Sequence, residues 1–83
     1  MQILGNPVSS NSTVRITLQN PQRVVFRLFD MNGKLLHSST GDASPGANIY
    51  PISKFGFLAK GQYTLQAITS EAKFSVRMVK LRE

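Results

Sequence analysis

The side chains that could carry chemistry are few and stand far apart in this sequence. The acids Asp30 and Asp42 both lie among turn-forming residues, and His37 is the only histidine. The candidate nucleophiles are the serines of one polar stretch, Ser9, Ser10 and Ser12. A nucleophile needs a positioned base and an oxyanion-binding group, and the spacing of these residues supplies neither. The sequence therefore predicts no catalytic residue and no enzymatic activity.

Metal and cofactor chemistry has no better foundation. The chain of 83 residues contains no cysteine, so it forms neither a disulfide nor a thiolate metal site. A single histidine does not chelate a metal alone. We therefore expect no metal and no cofactor, and a fold held by apolar packing, for which a hydrophobic content of 41% is ordinary.

The charge favours anionic partners. Ten Lys and Arg against four Asp and Glu give a net charge of +6, which suits nucleic acid, lipid headgroups, anionic polysaccharide or an acidic protein surface. The basic residues are scattered, however, and Arg15, Arg27 and Arg77 each sit between apolar neighbours. No recognition motif or aromatic stacking platform accompanies them, so we expect a solvated surface and no nucleic-acid partner. No apolar run approaches the roughly 18 residues of a membrane span, which predicts no transmembrane segment.

Short alternating segments predict β-strands. Apolar and polar residues alternate in Thr13–Leu18 and Tyr63–Ala67, and a period of two is typical of half-buried strands. In Val24–Phe29, the residues Val24, Phe26 and Leu28 fall on one face with Arg27 opposite. The pattern predicts that the inward-facing residues include Phe26, Leu28, Tyr63 and Leu65.

A tight reversal is predicted in the stretch LFDMNGKLL, residues 28–36. The Asp30 carboxylate can accept backbone N–H bonds, and Asn32-Gly33 readily adopts the positive φ values that hairpin loops require. Apolar runs on both sides of the turn indicate a β-hairpin.

The remaining segments are less regular. Residues 40–47 (TGDASPGA) are rich in turn formers and predict a loop or an irregular edge. Ile49–Ile52 is a candidate edge strand, since Pro51 cannot donate to a central ladder. A second turn is predicted at Leu58–Gln62, and Lys73–Leu81 should form the last strand, either buried on both faces near its end or carrying a bulge.

Together these features predict about six or seven short strands with turn signals roughly every 8–12 residues. We expect one all-β domain spanning residues 1–83, an immunoglobulin-like antiparallel β-sandwich, cut from a longer secreted precursor.

Four motifs in a fixed order add a family resemblance. They are Asn6-Pro7, the hairpin Leu28–Lys34, the segment Leu58–Tyr63 and the ending Val76–Lys80. Each alone is generic turn or strand chemistry, but their order and spacing over essentially the whole chain resemble the type A C-terminal sorting domain of the type IX (Por) secretion system of Bacteroidota. The chain departs from that pattern at Gly5, where the family often has Pro, at Gln62, which replaces an apolar residue, and in the extension Leu81-Arg82-Glu83.

The resemblance implies an address rather than an active site. In that family the domain folds in the periplasm and is recognised by the outer-membrane translocon, which delivers the attached protein to the cell surface. In many members a sortase-like surface protease then removes the domain and attaches the cargo to anionic lipopolysaccharide, whereas other members retain it within the surface attachment machinery. Both fates stay open for this chain.

The resemblance also assigns roles to residues. The structural motif positions are Asn6, Pro7, Asp30, Asn32, Gly33, Lys34, Leu58, Gly61 and Tyr63. The candidates for recognition by the translocon are the residues of the ending, Val76, Met78, Val79, Lys80, Leu81 and Arg82. Lys80 and Arg82 are expected to be exposed charges that contribute little to folding.

The alternative is a generic immunoglobulin-like adhesion or carbohydrate-binding module. Sugar sites usually present exposed aromatic residues, and the sequence has no Trp and only two Tyr. Because Tyr63 is expected in the core, Tyr50 beside Pro51 is the one candidate platform for a sugar ring.

Overall fold

The structure, a computed structural model, describes residues 1–56 and 58–81. Within them the chain forms seven strands: β1 (Gln2–Leu4), β2 (Thr13–Leu18), β3 (Gln22–Asp30), β4 (Leu35–Ala43), β5 (Gly46–Pro51), β6 (Gly61–Ile68) and β7 (Lys73–Lys80). All pairings are antiparallel, in one sheet of order β1-β2-β5 and another of order β4-β3-β6-β7. The predicted immunoglobulin-like β-sandwich of six or seven strands is confirmed.

Alternation along the strands places one apolar face of each sheet in a shared core. Strand β2 contributes buried residues from one sheet, and β3 and β6 contribute them from the other. The four residues predicted to face inward are buried, with 0% exposure for Phe26, 1% for Leu28, 8% for Tyr63 and 0% for Leu65. The predicted strand register is therefore correct.

A short 3-10 helix, Ile52–Phe55, closes the core. Ile52 and Phe55 are buried, and the Phe55 ring meets the Phe26 ring edge to face at 4.9 Å between centroids. The predicted edge strand thus ends at Pro51 rather than Ile52, and the following turn supplies a core aromatic. In the described part of the chain no helix has the length and apolar character needed to cross a bilayer.

The predicted hairpin is present between β3 and β4. The Asp30 carboxylate accepts the N–H groups of Asn32 at 2.8 Å and Lys34 at 2.9 Å, and Gly33 has a φ of 83°. The left-handed conformation explains why glycine occupies the position, since other residues are strained there.

Of the two alternatives predicted for residues 40–47, the loop is wrong, whereas an edge position is correct, since β4 and β5 are both edge strands of their sheets. Strand β4 continues to Ala43, which pairs with Gln22, and β5 already begins at Gly46, which pairs with Leu18. The reversal is confined to the two residues between them, where the Asn48 side-chain amide bonds both the N–H and the carbonyl of Ser44, each at 2.9 Å. Cross-strand partners outweigh the weak strand propensity of this segment.

The far end of the sandwich is tied by one carboxylate. In the turn between β6 and β7, Glu71 accepts a bond from the Gln22 side-chain amide at 2.6 Å and further bonds from the backbone N–H groups of Gln19 and Asn20. The bond from Gln22 is the main cause that holds the pKa of Glu71 below its ordinary value. The carboxylate thus links the β2–β3 and β6–β7 turns.

Truncation of the central aromatic should remove most of the stability. Phe26→Ala is expected to lower the free energy of unfolding by about 3–5 kcal/mol, because Phe26 is fully buried between the Phe55 and Tyr50 rings. Urea denaturation measures the change. Phe29→Ala, on the outer face of the same strand, is the control and should cost clearly less; equal losses would contradict the assigned register.

Acid should weaken the link made by Glu71. Because the pKa of Glu71 is lowered in the folded state, its contribution is present above the unfolded-state pKa of about 4.3 and is lost as the pH falls through the folded-state value. We therefore expect Glu71→Gln to be less stable than the parent at pH 7, with a difference that shrinks below pH ~4. Thermal melts across this range test it. Gln22→Ala should reduce the same pH dependence, and a difference that grows on acidification would contradict the account.

Candidate recognition surface at the end of strand β7

Strand β7 forms one edge of the four-stranded sheet and carries most of the recognition candidates. It pairs with β6 in continuous register from Ile68↔Lys73 to Gly61↔Lys80, so the alternative of a bulge is wrong. Met78 has 0% exposure and Val76 is half-buried against the core. On successive positions, and thus on opposite faces, Val79 and Lys80 are half-buried as well. The expected burial on both faces near the end of the strand is thus only partial, because Val79 is half-buried and Leu81 is 64% exposed.

The Asn6-Pro7 motif lies on the outer edge of this strand. The Asn6 side-chain amide donates to the Arg77 carbonyl at 3.3 Å and accepts the Val79 N–H at 3.2 Å. Two residues later, the Val8 N–H donates to the Val79 carbonyl at 2.7 Å. The Asn6–Pro7 peptide bond is cis. The first motif of the chain therefore satisfies backbone groups of the last.

A buried hydroxyl holds this N-terminal segment in place. Ser12, with 3% exposure, donates from Oγ to the Gly5 carbonyl at 2.6 Å and accepts the Ser9 N–H at 2.8 Å. Gly5 has a φ of 88°, and a Cβ there would lie 2.9 Å from Ser12 Oγ. The sequence does not reveal this role of Ser12, because one serine in a polar stretch gives no signal of burial. The departure at Gly5 is explained by the same contact.

The Leu58–Tyr63 motif packs against the other side of the end of β7. Leu58 is buried, and its carbonyl accepts the Lys80 ammonium at 2.5 Å. The Tyr63 hydroxyl donates to the Ala59 carbonyl and spans the turn, and Gly61 has the expected positive φ, 150°. A tyrosine that bonds back to the backbone a few residues upstream is a recurring feature of β-sandwiches.

These contacts bring the four motifs together. Tyr63 of β6 is the cross-strand partner of Asp30, which begins the hairpin turn, and of Met78 in β7. Asn6 bonds the opposite edge of β7 one residue before and one after Met78. Motifs separated by about 70 residues of sequence thus form one continuous end of the sandwich.

The recognition candidates differ in accessibility. Leu81 is 64% exposed, whereas Lys80 is half-buried with its ammonium on the Leu58 carbonyl. The expectation that Lys80 is a solvated charge with little effect on folding is therefore wrong. Arg82 lies outside the described residues. A mainly apolar cavity of about 510 Å³ opens beside Lys80, between Val8 and Ile52.

Tyr50 is not the exposed platform that the alternative function predicted. Its ring meets the Phe26 ring edge to face at 4.9 Å, and the Lys54 ammonium lies 6.0 Å from its centroid. Its hydroxyl donates to the Asp42 carbonyl at 3.3 Å. Burial, and to a lesser extent the charge of Asp42, raises the pKa of Tyr50.

The acidic side chains of the described residues are engaged in separate local contacts. Among residues 1–56 and 58–81, no three His, Asp or Glu side chains are placed to share a metal ion. Asp42 lies 3.9 Å from Arg23, and both side chains are largely exposed, while Asp30 is engaged by its own turn.

No protein-family model matches this sequence. No curated protein and no solved structure matches it either. The motifs and the geometry that joins them therefore carry the functional argument alone.

Removal of the Asn6 side chain should loosen the edge of β7. Asn6→Ala is expected to lower the free energy of unfolding by about 0.5–1.5 kcal/mol, because the Arg77 carbonyl and the Val79 N–H lose their side-chain partner. Hydrogen exchange should accelerate most at the Val79 amide, with β3 amides nearly unchanged. Asn11→Ala, exposed in the following loop, is the matched control. Unchanged protection of Val79 would contradict the assigned contact.

Proposed function

We propose that this domain is a sorting signal of the type IX secretion kind. It directs an attached protein through the outer-membrane translocon to the cell surface, and it acts as a binding surface rather than as a catalyst. In this proposal the domain passes through the periplasm and meets the translocon and the sortase-like surface protease as its partners. Cleavage with transfer of the cargo to anionic lipopolysaccharide, and retention at the surface, are both compatible with this role.

The observation that carries the proposal is the convergence of the four motifs around the end of β7. Motif residues that only shaped separate turns would have no reason to share one surface. Here the Asn6 side chain hydrogen-bonds the outer edge of β7, and the Leu58 carbonyl accepts a hydrogen bond from the Lys80 ammonium. Tyr63 is the cross-strand partner of Met78. A receptor that binds the end of β7 would meet the exposed neighbours of these residues on one surface.

Burial separates residues that hold this surface from residues that a receptor can touch. Met78, Leu58 and Tyr63 are buried, so their substitution would impair export by unfolding the domain. Leu81 is exposed and Val79 is half-buried on the outer face of the sheet. These last two are the positions at which recognition is testable without loss of the fold.

Surface delivery of a reporter tests the proposal. The full 83-residue chain is fused to the C-terminus of a periplasmic reporter in a host with type IX secretion, and surface reporter is measured in intact cells. Val79→Thr with Leu81→Gln should lower delivery by more than about tenfold, the effect of losing roughly 1.4 kcal/mol of binding. The melting temperature of the purified domain should change little.

Ile68→Thr with Ile49→Gln is the matched control. Ile68 is half-buried on the outer face of β6, and Ile49 is 54% exposed on β5. The control therefore replaces two aliphatic side chains of similar exposure by the same polar residues, at a distance from the end of β7. Normal delivery of this control beside failed delivery of the test variant supports recognition at β7. Equal delivery of the test variant and the parent, with both folded, overturns it.

A further inference from the structure

Four of the six exposed large apolar side chains of the described residues lie at one end of the four-stranded sheet. Met31, next to the apex of the β3–β4 hairpin, is 73% exposed, and Leu35 and Leu36 after the turn are 49% and 45% exposed. Leu81, 64% exposed, follows β7 at the same end. Single exposed apolar residues are ordinary on a protein surface, but a contiguous group marks an interaction site.

Basic side chains stand beside this apolar group. Lys34 lies in the same turn and Lys60 in the turn that leads into β6, both exposed. Arg77 lies across a shallow depression of about 250 Å³ from Met31. Among the described residues the acid at this end is Asp30, whose carboxylate accepts two backbone N–H groups of its own turn. We call Met31, Lys34, Leu35, Leu36 and Lys60 the hairpin tip.

The other two acidic side chains of the described residues lie at the opposite end of the sheet. Asp42 lies 3.9 Å from Arg23, and Glu71 accepts hydrogen bonds from the turn between β2 and β3. Over the described residues, positive charge and exposed apolar surface thus coincide at the hairpin tip.

We propose that the hairpin tip docks on the surface of an anionic lipid bilayer. Met31, Leu35 and Leu36 enter the headgroup layer, and Lys34 and Lys60 contact lipid phosphates. Binding of this kind adds buried apolar area to the electrostatic attraction of an anionic surface. It is tested separately from the sorting role proposed above, because variants of the hairpin tip leave Val79 and Leu81 unchanged.

The composition of the tip favours a bilayer over a macromolecular partner. The cores of protein interfaces are enriched in aromatic residues and depleted of lysine, whereas the tip mixes lysine with aliphatic side chains. Single-stranded nucleic acid is held by aromatic stacking, which the tip does not offer. Exposed aliphatic and cationic side chains together in one turn match the acyl and phosphate layers of a lipid surface.

Vesicle binding by the purified 83-residue chain tests the proposal. We expect binding to vesicles of phosphatidylglycerol and phosphatidylcholine, weaker binding at higher salt, and little binding to phosphatidylcholine alone. Lys34→Gln with Lys60→Gln should lower the partition coefficient about fivefold per lysine. Met31→Ser should lower it at least about threefold. All variants are first shown to melt like the parent.

Matched controls lie elsewhere on the surface. Arg15→Gln with Lys73→Gln removes the same charge from exposed positions away from the tip, and Ile49→Ser removes an exposed apolar side chain from β5. Full binding by both controls, with the losses confined to the tip variants, supports the proposal. Equal losses in tip and control variants would show binding by net charge alone and overturn it. Absence of vesicle binding, or tighter binding to a soluble polyanion or a second copy of the chain, overturns it as well.

Discussion

Three hydrogen bonds between the N-terminal segment and the last strand hold the outer edge of β7 in place. The Asn6 side chain and the Val8 N–H bond the outer edge of β7 at Arg77 and Val79. An open edge strand invites pairing with other chains, and this segment covers the part of the edge closest to the end of the chain. Ser12 in turn fixes the segment through Gly5. Without these contacts the first and last motifs would lie on unconnected parts of the surface.

Core residues and proposed recognition residues alternate along the strands at this end of the sandwich. Met78 and Tyr63 lie side by side on the core face of adjacent strands, while neighbouring side chains on the same strands reach solvent. This follows from the period of two in a strand, which gives every inward anchor an outward neighbour. Lys80 does not fit the division, because its ammonium is bonded to the Leu58 carbonyl. Leu81, by contrast, is open to contact.

The sequence was sufficient for the local features and insufficient for the contacts between them. Alternation located the buried faces of β3 and β6, and the hairpin followed from Asp30 and Gly33, because these signals lie within a few residues. For residues 40–47 the sequence left a loop and an irregular edge as alternatives, because the strand conformation of this segment depends on partners in β2 and β3. The packing of the Tyr50 ring on the Phe26 ring and the bond from Lys80 to the Leu58 carbonyl are contacts between residues far apart in sequence. No periodicity in a single sequence encodes such contacts.

The convergence of the motifs depends most directly on the bond between Val8 and Val79, because this bond joins the N-terminal segment to the last strand at the proposed recognition surface. A scalar coupling across the hydrogen bond, measured by NMR between the Val8 amide nitrogen and the Val79 carbonyl carbon, tests it. We expect a resolved coupling together with slow exchange of the Val8 amide, as suits an N–H to oxygen bond of 2.7 Å. Absence of the coupling, with the Val8 amide exchanging as fast as an unprotected one, would contradict the convergence of the motifs.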